Sequence, residues 1–311
     1  AELTTHRDPL LPEERRRKKL GKGRPSDQHS SSHPKIAKVE LLDVKTLKRH
    51  LAPSDASDST GRRSGGKLRV LCLHGTASNK KIMQFSLRSI MSQTKDYVEF
   101  VAVDAPIRLN DLQTDLWGDP EILRFFGKNL SYFLWYKHEM RSSDHKRSVN
   151  LPTAQWYKGT HVVGLENSLK ALAAVYREQG PFDGVLGFSQ GAAMATLLAA
   201  LKPSWFRFVI SLAGFVSPPA ESIFDESSGK LPPLLHVHGE GDATVSLAHG
   251  KHLCSKFQEA RVVTFRGGHR PPAKGQSDAI EAIITFLQKH HNLENRQPRE
   301  FTNIVRNGNQ S

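Results

Sequence analysis

Gly187-Phe188-Ser189-Gln190-Gly191 is the stretch that most constrains this chain of 311 residues. An apolar run, Phe182-Asp183-Gly184-Val185-Leu186, precedes it, and Ala192-Ala193-Met194-Ala195-Thr196-Leu197-Leu198 follows. The first reads as a buried strand and the second as a buried helix. A turn between them is so tight that the residues flanking Ser189 must lack bulk. It lifts the Ser189 Oγ above the sheet edge, and the helix N-terminus behind it favours developing negative charge. The pentapeptide alone arises by chance in about one chain in ten of this length. Taken alone it is equally a plain glycine-rich turn, so its meaning depends on partners elsewhere.

Three partners are in place. Leu234-Leu235-His236-Val237-His238-Gly239 reads as a buried strand, and Glu240-Gly241-Asp242-Ala243-Thr244-Val245 follows it. An Asp on a glycine turn just past a strand suits the acid that orients an imidazole and stabilises imidazolium. Asp242 equally suits the N-cap of a helix starting near Val245. Further on, Val262-Val263-Thr264-Phe265 leads into Arg266-Gly267-Gly268-His269-Arg270-Pro271-Pro272. Two glycines and two prolines around one His make a fixed loop, where a general base belongs. With fifteen His in the chain, an ordinary surface His is the alternative. The order Ser189, Asp242, His269 is that of α/β-hydrolases. Lastly, Leu68-Arg69-Val70-Leu71-Cys72-Leu73 is the first clear strand and ends in His74-Gly75-Thr76-Ala77. Acyl transfer needs two backbone N–H donors aimed at the oxyanion. Gln190 is expected to supply one and Thr76 the other. His74 reads as a residue that shapes this loop.

The elbow run from Phe182 to Ala193 resembles that of the FSH serine hydrolases, the ovarian cancer-associated gene 2 protein family. So do Gly164-Leu165-Glu166-Asn167-Ser168-Leu169, Leu71-Cys72-Leu73-His74-Gly75, Val103-Asp104-Ala105-Pro106, and Gly267-Gly268-His269 with Pro271. The resemblance covers residues 67–289. It implies an α/β-hydrolase fold with Ser189, Asp242 and His269 as triad. It also implies hydrolysis of carboxylic esters or thioesters, often of acyl chains, without a cofactor. Two departures stand out. Thr76-Ala77-Ser78 lacks the bulkier residue often seen after His-Gly, and residues 107–163 match poorly. Gly-Phe-Ser-Gln-Gly is also similar to the acyl-protein thioesterase and carboxylesterase family, which shares fold, triad order and reaction.

Strands are expected at 68–73, 98–104, 182–188, 206–212, 234–238 and 261–265, with helices at 81–93, 163–177, 190–201, 245–258 and 277–290. Near-continuous apolar strands between helices predict a mainly parallel sheet covered on both faces. The pattern gives the fold class α/β, and the resemblance implies that it is an α/β-hydrolase fold, with an aromatic-rich cap insertion at 107–163. That insertion holds Trp117, Phe125, Phe126, Tyr132, Phe133, Trp135, Tyr136, Trp156 and Tyr157. Insertions at the carboxyl ends of strands overhang a site. Trp135 and Tyr136 are the expected pocket pair for an apolar acyl chain, and the other aromatics are expected to pack the insertion onto the domain.

Around a hydrolase domain at 67–290, residues 1–66 and 291–311 read as disordered tails. The first is rich in Ser, Pro, Lys and Arg and too poor in apolar residues to offset chain entropy. Within it, residues 36–51 carry Val39, Leu42, Leu47 and Leu51 at helical spacing, either a short docking helix or an unfolded stretch. Arg15-Arg16-Arg17-Lys18-Lys19, with Lys22 and Arg24, suits contact with a polyanion, an anionic membrane surface or an import receptor; a solvated tail is the bland alternative. The net charge of +13 misleads if read as one surface. Residues 1–66 hold fifteen Lys/Arg against nine Asp/Glu, and the remainder is spread without aromatic interleaving.

Two cysteines, Cys72 and Cys254, make no disulfide framework and suit a cytoplasmic or nuclear protein. No apolar run approaches the ~20 residues of a membrane span. No secretory segment opens the chain, Glu2, Asp8, Glu13 and Glu14 argue against a transit peptide, and the initial Ala hints at a start further upstream. His236 and His238 share one strand face, but no third ligand stands in register, so no metal is expected. Three functions stay open: a serine esterase or thioesterase acting on a small acyl substrate, an amide hydrolase on the same scaffold, and a tail-driven binding protein. Sequence sets no oligomeric state.

Overall fold

The computed structural model describes residues 43–51, 66–127, 129–140, 160–217, 220–227 and 230–296. The basic block at 15–24 and the aromatics Trp156 and Tyr157 lie outside the described residues. In chain order the elements are α1 (Val44–His50), β1 (Leu68–Leu73), α2 (Lys80–Thr94), β2 (Val98–Val103), β3 (Ile107–Arg108), α3 (Asp111–Trp117) and α4 (Pro120–Phe126). Next come β4 (Phe133–Leu134), β5 (Lys137–Met140), β6 (Thr160–Val163), α5 (Leu165–Gln179), β7 (Gly184–Phe188), α6 (Gln190–Leu201) and β8 (Phe208–Leu212). The chain continues with α7 (Glu221–Asp225), β9 (Leu234–Gly239), α8 (Leu247–Ser255), β10 (Ala260–Phe265) and α9 (Ser277–Arg296).

Six strands form one parallel sheet in the order β10-β9-β8-β7-β1-β2. Side chains alternate across a strand, so an all-apolar strand feeds two cores. In β1, Val70 and Cys72 join α2 and α9 on one face, through Met83, Leu87, Ile90, Ile283 and Leu287. Leu71 and Leu73 join α5, α6 and α8 on the other, through Leu169, Met194, Leu198 and Leu253. This is the parallel sheet covered on both faces that the alternating pattern predicts, as the α/β-hydrolase fold implied by the resemblance requires. The chain runs outward from β1 to β2 and then back across from β7 to β10. The loops after β1 and β7 therefore diverge, which opens a crevice at the strands' carboxyl ends.

In three places the structure adds to the expected outline. The N-terminal region is not featureless up to residue 66. Asp43 caps α1 by accepting from the Lys45 and Thr46 amides, and Val44, Leu47 and Leu51 are buried against α5 and α6. Three apolar residues at helical spacing fold here because a docking surface exists. At the other end α9 continues to Arg296, past the expected break at 290. The insertion is also more than an overhang. It pairs β3 with β4 and β5 with β6, both antiparallel, and builds its own core from Leu109, Tyr132 and Leu134 against Ala77 and Ile82.

Candidate active site

Ser189 stands between β7 and α6 at φ 53° and ψ −119°. A non-glycine residue at positive φ costs about 1–3 kcal/mol and persists only where its surroundings over-determine it. Here the Ser189 amide donates to the Leu212 carbonyl at 2.9 Å, and its carbonyl accepts from the Ala192 and Ala193 amides. The glycines explain the pentapeptide. A Cβ on Gly187 would lie 2.2 Å from the Gly191 carbonyl oxygen, and one on Gly191 would lie 2.3 Å from those of Leu73 and His74. Backbone meets backbone at both places. Gln190 opens α6, so its amide has no partner within the helix.

Asp242 and His269 come from the loops after β9 and β10. The Glu240 amide donates to Phe265 O and the Gly241 amide to Gly267 O, at 2.9 and 2.8 Å, which extends the β9–β10 pairing into both loops. Asp242 Oδ1 accepts from the Thr244 and Val245 amides at 2.9 and 2.8 Å. Its Oδ2 lies 2.7 Å from His269 Nδ1, and His269 Nε2 lies 2.8 Å from Ser189 Oγ. One carboxylate thus closes a turn and holds the imidazole; α8 itself begins later, after Ser246. Burial works against ionisation of Asp242, yet the hydrogen bond and charge of His269 and the two amides outweigh it and hold the carboxyl below its usual range. Phe188 packs on the His269 ring with centroids 5.0 Å apart.

The β9 histidines bind each other. His238 Nε2 donates to Val245 O at 2.9 Å, which leaves Nδ1 to accept from His236 Nε2 at 3.1 Å. His236 Nδ1 then accepts from the Ser211 hydroxyl at 3.1 Å. Every proton in this chain is assigned by its neighbour. Burial, and then the adjacent His238, push His236 down to about 3, so the row is neutral and props the Asp242 turn from below. Among the described residues no group of three His, Cys, Asp or Glu is arranged to hold a metal ion. Sequence reasoning set the pair aside as structural and missed the prop; alternate positions on one strand next to the acid turn were the signal.

Thr76 follows Gly75 on the loop after β1, and Ala77 there takes φ 46°. His74 is fully buried; its Nε2 accepts from the Ala105 amide at 3.0 Å, so Nδ1 carries the proton and donates to Gly75 O. The two expected pocket aromatics part company. Trp135 is fully buried behind this loop, with its indole N–H donating to His74 O at 2.8 Å. A ring so enclosed offers no face to a substrate. Tyr136 lines a narrow apolar crevice with Val162, Ala193, Leu197, Phe215 and Val216. The crevice leaves about 10 Å³, space for one water molecule.

The model of the serine hydrolase (FSH1) family matches residues 64–280. Esterase OVCA2 of Xenopus tropicalis is 30% identical over 224 residues, covering 70% of this chain and 92% of its own length. Esterase OVCA2 of Danio rerio is 32% identical over 216 residues, 66% of this chain and 91% of that one. Esterase CG5412 of Drosophila melanogaster is 29% identical over 227 residues, 71% and 74% of the two chains. Among solved structures, esterase PE8 is a distant likeness, with TM-score 0.48 and 23% identity over 72% of this chain and 93% of that one. A parallel sheet that carries Ser189 on a strained turn, and a family match that spans every strand of that sheet, lead to one assignment: the chain belongs to the FSH1 serine hydrolase family.

Proposed function

We propose that the protein hydrolyses carboxylic esters or thioesters through an acyl-enzyme on Ser189. The observation that carries this reading is the unbroken hydrogen-bond chain from Ser189 Oγ through His269 to Asp242, at 2.8 and 2.7 Å. His269 Nε2 takes the Ser189 proton as Oγ attacks the carbonyl carbon. The Gln190 and Thr76 amides receive the oxyanion. His269 then gives its proton to the leaving oxygen or sulfur, and water, activated by the same imidazole, releases the acid. Asp242 stays ionised throughout, held so by its amides and by His269, and stabilises the imidazolium. Named esterases among its relatives support an ester over an amide.

The acyl group belongs in the crevice between Tyr136, Val162 and the first turns of α6. Its walls are apolar, and Ala193 lies one helical turn from Ser189. A medium or long chain gains ~0.8 kcal/mol per CH₂ buried, and it enters by displacing Tyr136 and Val162, which belong to the insertion. The buried thiols of Cys72 and Cys254 favour a reducing compartment, cytoplasmic or nuclear. A panel of p-nitrophenyl esters from acetyl to palmitoyl, with fluorophosphonate labelling, tests the reading. Hydrolysis with label on Ser189 is expected. A folded protein that neither cleaves any ester nor takes the label at Ser189 would overturn it.

A further inference from the structure

The Gln190 side chain is a second feature of the elbow. Its Oε1 accepts from the Trp135 amide at 2.9 Å, and its Nε2 donates to Tyr136 O at 2.8 Å. One carboxamide thereby grips the Trp135-Tyr136 dipeptide of the insertion at both ends. The same Trp135 donates its indole N–H to His74 O at 2.8 Å and accepts at its carbonyl from the buried Ser168 hydroxyl of α5. Two residues before Trp135, Phe133 of β4 exchanges backbone hydrogen bonds with Ser78, at 2.8 and 3.4 Å, on the far side of the 74–77 loop. Residues 133–136 are therefore stitched to the loop after β1 at Ser78 and His74, and to the elbow at Gln190.

We propose that Gln190 and Trp135 are positioning residues that set the distance between the two oxyanion donors. This rests on the reading that the Gln190 and Thr76 amides are those donors. Gln190 carries one of them on its own backbone, and the His74 carbonyl, held by Trp135, anchors the loop that carries the other. Donors of this kind must sit within about 0.5 Å of the productive place, and these two come from different strands with no direct bond between them. The clamp supplies the missing constraint. It also explains the choice of Gln at this position. A carboxamide of this length both accepts from Trp135 N and donates to Tyr136 O; Glu would aim charge at a carbonyl, and an apolar residue would leave both buried groups unpaired. The fully buried Trp135, expected to line the acyl pocket, buttresses the oxyanion loop instead.

The test uses the full chain with Gln190→Met, Trp135→Phe and the double variant. Trp135→Phe keeps an aromatic ring and removes the indole N–H together with some buried volume, so it is compared by Tm as well as by rate, and it decides the matter if Gln190→Met does not fold. The measurements are kcat and KM on p-nitrophenyl butyrate, and inhibition by butaneboronic acid, which forms a tetrahedral adduct on the serine. The expected result is a loss of about tenfold to a hundredfold in kcat for Gln190→Met, with KM unchanged and boronic acid affinity falling in parallel. Trp135→Phe loses less, and the double variant loses less than the product of the two, because both act on one clamp. Folded variants with kcat and inhibition within twofold of wild type would overturn the inference. So would a loss confined to KM, which makes the segment a binding wall. If wild type neither cleaves the ester nor binds the boronic acid, the nucleophile assignment itself has failed and the clamp falls with it.

Discussion

The elbow between β7 and α6 and the insertion at 107–163 meet at Gln190 and Trp135, and they are built in opposite ways. In the elbow, five consecutive residues settle the geometry, and every residue of α6 is buried. In the insertion, position comes from distant partners. Trp135 takes its place from Gln190, 55 residues away, and from His74, 61 away. Leu112, Leu116 and Phe125, on α3 and α4, stay exposed, Phe125 by 69%. The contrast separates two needs of one site. Ser189, the proposed nucleophile, is held where strain cannot relax, so it sits where the sheet allows no choice. The wall proposed to meet the acyl chain is carried instead by short elements whose places are set by partners far away in sequence.

The largest expected effect tests the elbow directly. Ser189→Ala and His269→Ala should each lower kcat at least a thousandfold, and the double variant should lose little more, since the groups act as a unit. Phe125→Ser, on the insertion, should leave kcat/KM within twofold. Steady-state rates on a butyrate ester check both, and more than a tenth of wild-type activity in Ser189→Ala would break the comparison at its root. Next in size is Gly191→Ala. Its Cβ would meet two carbonyl oxygens at 2.3 Å, and neither can yield without moving β1. Overpacking of this kind costs about 1–3 kcal/mol, read as a lower Tm together with lost activity. An unchanged Tm would mean that the elbow is looser than its contacts indicate.

A smaller effect should separate the two regions by substrate. Val162→Phe narrows the crevice from the insertion side, away from Ser189. It should cut kcat/KM for long acyl esters about tenfold, the worth of roughly two buried methylenes, and spare acetyl esters. Equal losses at all chain lengths would place the acyl group elsewhere.

The smallest effect concerns pH and stability. Burial pushes His74 down to about 4, His236 to about 3 and His290 to about 4 in the sheet and its covering layers, and His138 to about 4 in the insertion. Their ordinary value is 6.5, so between these limits the unfolded chain binds more protons than the folded one. Stability is then complete above about pH 6.5 and falls as the pH drops toward 4. Tm should decrease from pH 7 to pH 5. His290→Phe, on α9 against Phe208 and Phe286, should remove part of that decrease and leave kcat/KM unchanged. A Tm independent of pH in wild type would show that these imidazoles are not held neutral.

The sequence carried what is local. Six strands and their helices follow from apolar runs and turn residues, and the three residues joined at 2.7 and 2.8 Å were legible because each stands just past a strand on a turn marked by glycine. Boundaries were less legible. Val44, Leu47 and Leu51 have helical spacing, but their burial depends on a surface formed by α5 and α6, more than a hundred residues later. The tertiary structure alone decided the rest. Trp135 looked like a pocket aromatic because composition records that a ring is apolar, not which side of a loop it lies on. The two grips of Gln190, the proton row from Ser211 to Val245, and the divergence of loops at β1 and β7 all join residues distant in sequence. No spacing rule encodes such contacts; they exist only once the sheet has brought the strand ends together.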